Sequence, residues 1–128
     1  MAKEIEQSTV TLQGDAFGEV RIADDVVANI AALAAVEVEG VAATAGNLTK
    51  ELMNKVGMKT IGKGVKIELI ESTVSVDITL IMEYGYNIPT TCKNVQERIK
   101  AAIENMTGLD VADVNIRIAG INMEKRDQ

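Results

Sequence analysis

The clearest signal along the chain is the alternation of apolar and polar positions from residue 74 to residue 83. Val74, Val76, Ile78, Leu80 and Met82 fall on one side, and Ser75, Asp77, Thr79 and Glu83 on the other. A period of two marks a strand with one face buried and the other wet. Just before it, Val65, Ile67 and Leu69 alternate with Lys66 and Glu68, and a polar turn at 71–73 separates the two runs. The pair is predicted to form an antiparallel hairpin. The period then changes to that of a helix. Cys92, Val95, Ile99, Ala102, Ile103 and Met106 share one stripe, while Lys93, Glu97, Lys100 and Glu104 face outward at i,i+4 spacing. The predicted helix spans 90–107, with Pro89 tolerated at its start and Thr90 or Thr91 as cap. Gly108 is the predicted stop, with Leu109 folding back on Ile103. Alternation resumes over 111–118, with Val114, Ile116 and Ile118 inward and Asn115 and Arg117 outward.

The front of the chain is patterned less sharply. Residues 1–17 read as a flexible arm holding a marginal strand at 9–12, and 18–22 reads as a strand. Asp24 and Asp25 suit a helix N-terminus, through capping and the helix dipole. The helix is expected to run to about Val38, with Val26, Ile30 and Leu33 on its core face. Its other face carries Ala28, Asn29, Ala31, Ala32 and Ala35 and no charge, where a solvent-facing helix usually shows Lys and Glu. Such small side chains suit a good helix former, and they also permit close approach by another element or another chain. Gly40 fits a left-handed helix end with Val41 folding back on Val36, and a strand is expected at 41–45. Leu48, Leu52 and Val56 suggest a short helix closed by Gly57, followed by a glycine- and lysine-rich loop over 57–64.

These elements predict a single α+β domain over 18–121, with 122–128 as a tail. The architecture is a two-layer sandwich, a mixed sheet of about five strands with two main helices on one face. The passages 18–45 and 80–118 share a strand–helix–glycine–strand order, a faint internal repeat of pattern only.

Composition narrows the chemistry. At 128 residues the chain can bury a core without disulfides or metals. Apolar residues are 47% of it and aromatics only 2%, so that core must be aliphatic. The chain has no histidine, which excludes His-based triads, His metal sites and a histidine pH switch. A lone cysteine excludes an internal disulfide and fits a reducing compartment. A formal charge of −6 disfavours nucleic acid and anionic lipid as partners of the chain as a whole. Residues 1–13 carry charges of both signs, unlike a signal peptide, and the uncharged run Val26–Val36 is too short to span a bilayer. A cytoplasmic protein without membrane insertion is expected.

Each candidate for chemistry has a plainer counterpart. Gly57, Gly62 and Lys63 match part of a P-loop, but Gly64 stands where Ser or Thr should bind magnesium, and the flanking elements come in the reverse order. The same loop concentrates charge: Lys50 to Lys66 holds five lysines against Glu51, a local +4, which suits an acidic partner. Cys92 lies near a helix start, where the dipole can lower a thiol pKa, yet its phase places it on the buried stripe. Asp77 and Glu83 fall on the wet face of a sheet, and Glu37 at a fraying helix end. No cofactor and no catalytic residue is assigned.

The motif order resembles the alkaline shock protein family, the envelope stress response family of Gram-positive bacteria. The matching segments are GEVRIADDVVANIA at 18–31, AAVEVEGVA at 34–42, KGVKIEL at 63–69 and YGYNIP at 84–89, with VQERI at 95–99, MTGL at 106–109 and VNIRIAGI at 114–121. The KGVKIEL strand and the Ile88-Pro89 turn look most like the subfamily often encoded beside acetyl-CoA carboxylase genes. The resemblance implies a non-enzymatic protein of envelope homeostasis that works through protein contacts. The partners it implies are a small membrane-anchored protein, which would hold it peripherally at the membrane, or acetyl-CoA carboxylase in fatty-acid synthesis. Homo-oligomerisation is a further expectation, and a small-ligand or nucleotide-binding protein is the competing class. For a protein partner, the candidate contact residues are Ala28, Ala32 and Ala35 on the first helix and Lys55, Lys59 and Lys63 on the loop.

Overall fold

The sheet is built on one strand. In the computed structural model, which describes residues 9–12, 19–45 and 64–123, the strand β5 (Thr73–Glu83) has neighbours along both edges. The strands before it are β1 (Thr9–Leu12), β2 (Val20–Ala23), β3 (Val41–Thr44) and β4 (Val65–Ile70), and β6 (Asp110–Asn122) follows it. The helices are α1 (Asp24–Val36) and α2 (Ile88–Thr107). On β5 the expected alternation holds, with Val74, Val76, Ile78, Leu80 and Met82 all buried.

β4 runs antiparallel along one edge of β5, from Val65 opposite Ile78 to Ile70 opposite Thr73. β3 continues on that same edge, placing Val41 opposite Met82 and Thr44 opposite Leu80. The two short strands therefore lie end to end, and Thr79 marks their junction. Its N–H donates to the Gly64 carbonyl at 3.0 Å, and its own carbonyl accepts from Ala45 N–H at 2.9 Å. Along the other edge β6 runs parallel to β5 over its full length, from Thr73 opposite Asp110 to Glu83 opposite Asn122. A parallel neighbour needs a crossover, and α2 supplies it. The main sheet is mixed, as expected, but holds four strands and is three strands wide. The strand expected at 18–22 is β2. It pairs instead with β1 in a separate two-stranded ribbon, from Thr9 opposite Ala23 to Leu12 opposite Val20.

α2 begins two residues earlier than its pattern suggested, and its cap is neither threonine. Asn87 is the N-cap, its side-chain oxygen accepting from Thr90 N–H at 2.9 Å, with Pro89 inside the first turn. The helix ends on Gly108 in the left-handed conformation (φ 77°), whose N–H donates to the Glu104 carbonyl. The buried line along α2 is Thr91, Val95, Ile99, Ile103 and Thr107. Met106, expected inward, is 71% exposed. That line is a single i±4 ridge, which is inclined to the helix axis, so burial has turned away from Met106 by the last turn. Thr107 satisfies its hydroxyl locally, donating to the Ile103 carbonyl at 2.6 Å and accepting from Leu109 N–H at 3.1 Å.

α1 starts after Ala23, a residue with no capping side chain, so Asp24 and Asp25 occupy the first turn rather than the cap position. There they complement the positive end of the dipole. The helix stops at Val36. Gly40 lies beyond the helix end, in a separate turn closed by Val41 N–H donating to the Val38 carbonyl at 3.2 Å. Its φ of 101° is strained for any residue with a Cβ. Val27, Ile30, Ala31, Ala32, Ala34, Ala35 and Val36 of α1 enter one core with the inner faces of β5 and α2.

Candidate interaction surfaces

The alanine face of α1 is not a surface. Ala32 and Ala35 are completely buried and Ala28 half-buried within this single chain. α1 is apolar almost all round because it is covered almost all round, by α2 and by β2, β3, β4 and β5. Close approach is what the small side chains permit, but the elements that approach belong to the same domain. A partner cannot reach Ala32 or Ala35 while the domain stays folded. Lys55, Lys59 and Lys63, with the predicted helix at 47–57 and the glycine loop, lie outside the described residues.

Cys92 is half-buried, and burial pushes its thiol pKa up, opposite to the shift a reactive helix-start cysteine would show. Glu37 sits just past the end of α1 and meets Arg98 of α2, guanidinium to carboxylate at 2.6 Å, a largely exposed pair that ties the two helices together. Glu104 has a more specific task. Its Oε2 accepts from Val111 N–H at 3.0 Å and from Lys100 Nζ at 2.9 Å, linking the end of α2 to the first residues of β6. The backbone hydrogen bond from Val111, followed by the one from Lys100, lowers its pKa.

The face of the sheet turned away from α1 and α2 carries, among the described residues, an open-sided trough of about 710 Å³. Lys66, Asp77 and Asn115 form one row across its three strands, with Arg117 beside Thr79 in the next row. The row mixes charge signs, which suits solvated pairing more than ligand capture. Among the described residues no group of three acidic or cysteine side chains is placed to hold a metal ion.

Val20, Val26, Ile70 and Met106 are exposed at scattered places, but five exposed apolar side chains lie at the end of the domain where β5 and β6 finish. Phe17, Tyr84 and Tyr86 are the chain's only aromatic residues. Both tyrosines lie in the four-residue connection between β5 and α2, 64% and 44% exposed, with Ile88 beside them at 39%. Tyr84 N–H donates to the Asn122 carbonyl at 3.2 Å, so this turn leaves the sheet alongside the end of β6. There Ile121 and Met123 are exposed too. Sequence reading took this segment as scaffold. The overlooked signal was that a chain so poor in aromatics places two of them within three residues in a turn.

Comparison with known proteins gives the chain a setting. A family model for alkaline shock protein 23, described as having a cell envelope-related function, matches residues 13–123. An uncharacterized protein of Bacillus subtilis, YqhY, is 37% identical over 112 residues, covering 88% of this chain and 83% of its own length. An uncharacterized protein of Streptococcus pyogenes serotype M6 is 33% identical, covering 85% of this chain and 83% of its own. A stress response regulator gls24 homolog from Streptococcus pyogenes serotype M3 is 27% identical over 110 residues. That match takes in 85% of this chain and 62% of the regulator. Among the described residues no helix is long and apolar enough to cross a membrane.

Proposed function

Because this chain belongs to the alkaline shock protein 23 family, whose function is related to the cell envelope, we propose that it is a non-enzymatic interaction module of envelope homeostasis. Its contact face is the Tyr84–Ile88 turn together with the end of β6. The observation that carries this reading is the placement of both tyrosines, Ile88, Ile121 and Met123 in the open, while the core among the described residues is built from aliphatic side chains. Tyrosine is enriched at protein interfaces because its ring offers large contact area and its hydroxyl stays wet. The partner that fits is a protein presenting an aliphatic segment. A bare anionic bilayer fits poorly with a chain of net charge −6. A small membrane-anchored protein would supply such a segment and hold this chain at the membrane from outside.

The test is co-purification from detergent-solubilised membranes, followed by reconstitution with the one small membrane protein recovered. Tyr84→Ser and Met123→Ser are expected to lose that protein while keeping the wild-type melting temperature. Undiminished recovery by folded variants overturns the contact face. Recovery of acetyl-CoA carboxylase subunits in its place moves the proposal to regulation of fatty-acid synthesis.

A further inference from the structure

β6 leaves the longest open edge of the sheet. Its only strand partner among the described residues is β5. Side chains of α2 touch its backbone twice, Glu104 at Val111 N–H and Gln96 Nε2 at the Val114 carbonyl, both at 3.0 Å. Register shifts interrupt β6 before Asp113 and after Ile118, so 113–118 is a straight, regular stretch. Asp113, Asn115 and Arg117 are exposed there, while Val114 is buried and Ile116 and Ile118 pack partly against the core. A regular strand edge whose backbone groups no other strand has taken is a template for another strand, and the Val114 carbonyl keeps a second lone pair beside the Gln96 bond.

We propose that this edge pairs with β6 of a second copy of the chain, antiparallel, about a two-fold axis at Asn115. Charge selects this register. An isologous pairing sets residue i opposite j and j opposite i. An axis at Asn115 places Asp113 opposite Arg117 of the second copy, twice over, on the open face. It also places Val114 opposite Ile116 on the helix side. An axis at Arg117 faces two guanidiniums, and one at Asp113 faces two carboxylates, which is repulsive directly across strands. An axis at Val114 or Ile116 forfeits both opposite-charge pairs.

The present bonding leaves room for this. Arg117 has no ion pair among the described residues, and Asp113 Oδ1 accepts from Ser75 Oγ at 2.8 Å and from Asn115 Nδ2 at 3.5 Å, leaving Oδ2 for an incoming guanidinium. The Gln96 bond shows the Val114 carbonyl accepting from outside the β5–β6 ladder. Val114 and Ile116 would then exchange the backbone bonds, and Asn115 would face its own copy in the closer, non-hydrogen-bonded kind of pair.

Light-scattering mass measured on a sizing column tests the pairing in the full chain. Wild type is expected to run as a dimer, and Arg117→Asp and Asp113→Arg as monomers of half that mass. The double variant D113R/R117D is expected to return to the dimer. Circular dichroism confirms that each is folded. In a Cys92→Ala background, Asn115→Cys is expected to cross-link two copies on mild oxidation, since such a pair brings the Cα atoms within disulfide range. A monomeric wild type overturns the proposal, as does a dimer indifferent to Arg117→Asp. A folded, monomeric N115C variant that does not cross-link does so as well.

Discussion

The ring of Tyr86 lies directly on the backbone of Gly40, where no β-carbon stands between them. A Cβ at position 40 would come 2.9 Å from Tyr86 Cδ2 and 3.1 Å from Thr91 Oγ1, on a residue whose φ is already 101°. The contact seats the β5–α2 turn against the chain leaving α1, and so fixes the base of the proposed contact face.

Gly40→Ala therefore combines backbone strain with steric overlap. The expected loss is about 2 to 5 kcal/mol, summing the usual scales for a left-handed Cβ and for overpacking. Chemical denaturation measures it. Adding Tyr86→Ala is expected to recover the steric part and not the backbone part, giving a coupling term in a double-mutant cycle.

Asn87 caps α2, the element that carries β5 across to β6. Asn87→Ala is expected to cost about 1 kcal/mol, with Asn87→Asp close to wild type. The urea midpoint should fall at an unchanged m-value, since the transition itself is not altered.

Glu104 makes stability depend on acid. Its carboxylate is held below the ordinary glutamate pKa by Val111 N–H and then by Lys100, so the ionised form is preferred in the folded state. Its contribution is present above the unfolded pKa of about 4.3 and is lost as pH falls through the lower folded value. Glu104→Gln should destabilise the protein at pH 7, and the gap from wild type should close on acidification. Urea midpoints at pH 7 and in strong acid measure the convergence.

Cys92 should be slow to react. With its pKa raised by burial, the thiolate fraction at neutral pH is below that of a free cysteine near 8.5. Alkylation of the native protein is expected to lag well behind that of the urea-unfolded chain. Equal rates in the two states would contradict the placement.

Much of the scaffold was legible because its elements keep a single period. The alternation from Val74 to Met82 admits one buried face, and Gly108 ends α2 where the pattern stopped. The candidate surface was less legible for an equally physical reason. Apolar residues mark what prefers to leave water, and they do not say whether the covering comes from the same chain or another. Ala32 and Ala35 looked available because no charge defended them, yet α2 and the sheet close over α1 from within. Tyr84 and Tyr86 lie in a turn with no period to read, and they are exposed.

What the amino-acid order determined by itself was local: strand or helix, buried face or wet face, and where the chain must turn. Backbone sterics and side-chain period act within a few residues, so they can be read there. The tertiary structure alone decided that β2 joins β1 and not the main sheet, that β3 and β4 share one edge of β5, and that Thr107 is buried in place of Met106. Those outcomes depend on which distant segments compete for the same edge and on the inclined line along which α2 meets the sheet. Among the described residues the same competition left the outer edge of β6 without a strand to cover it.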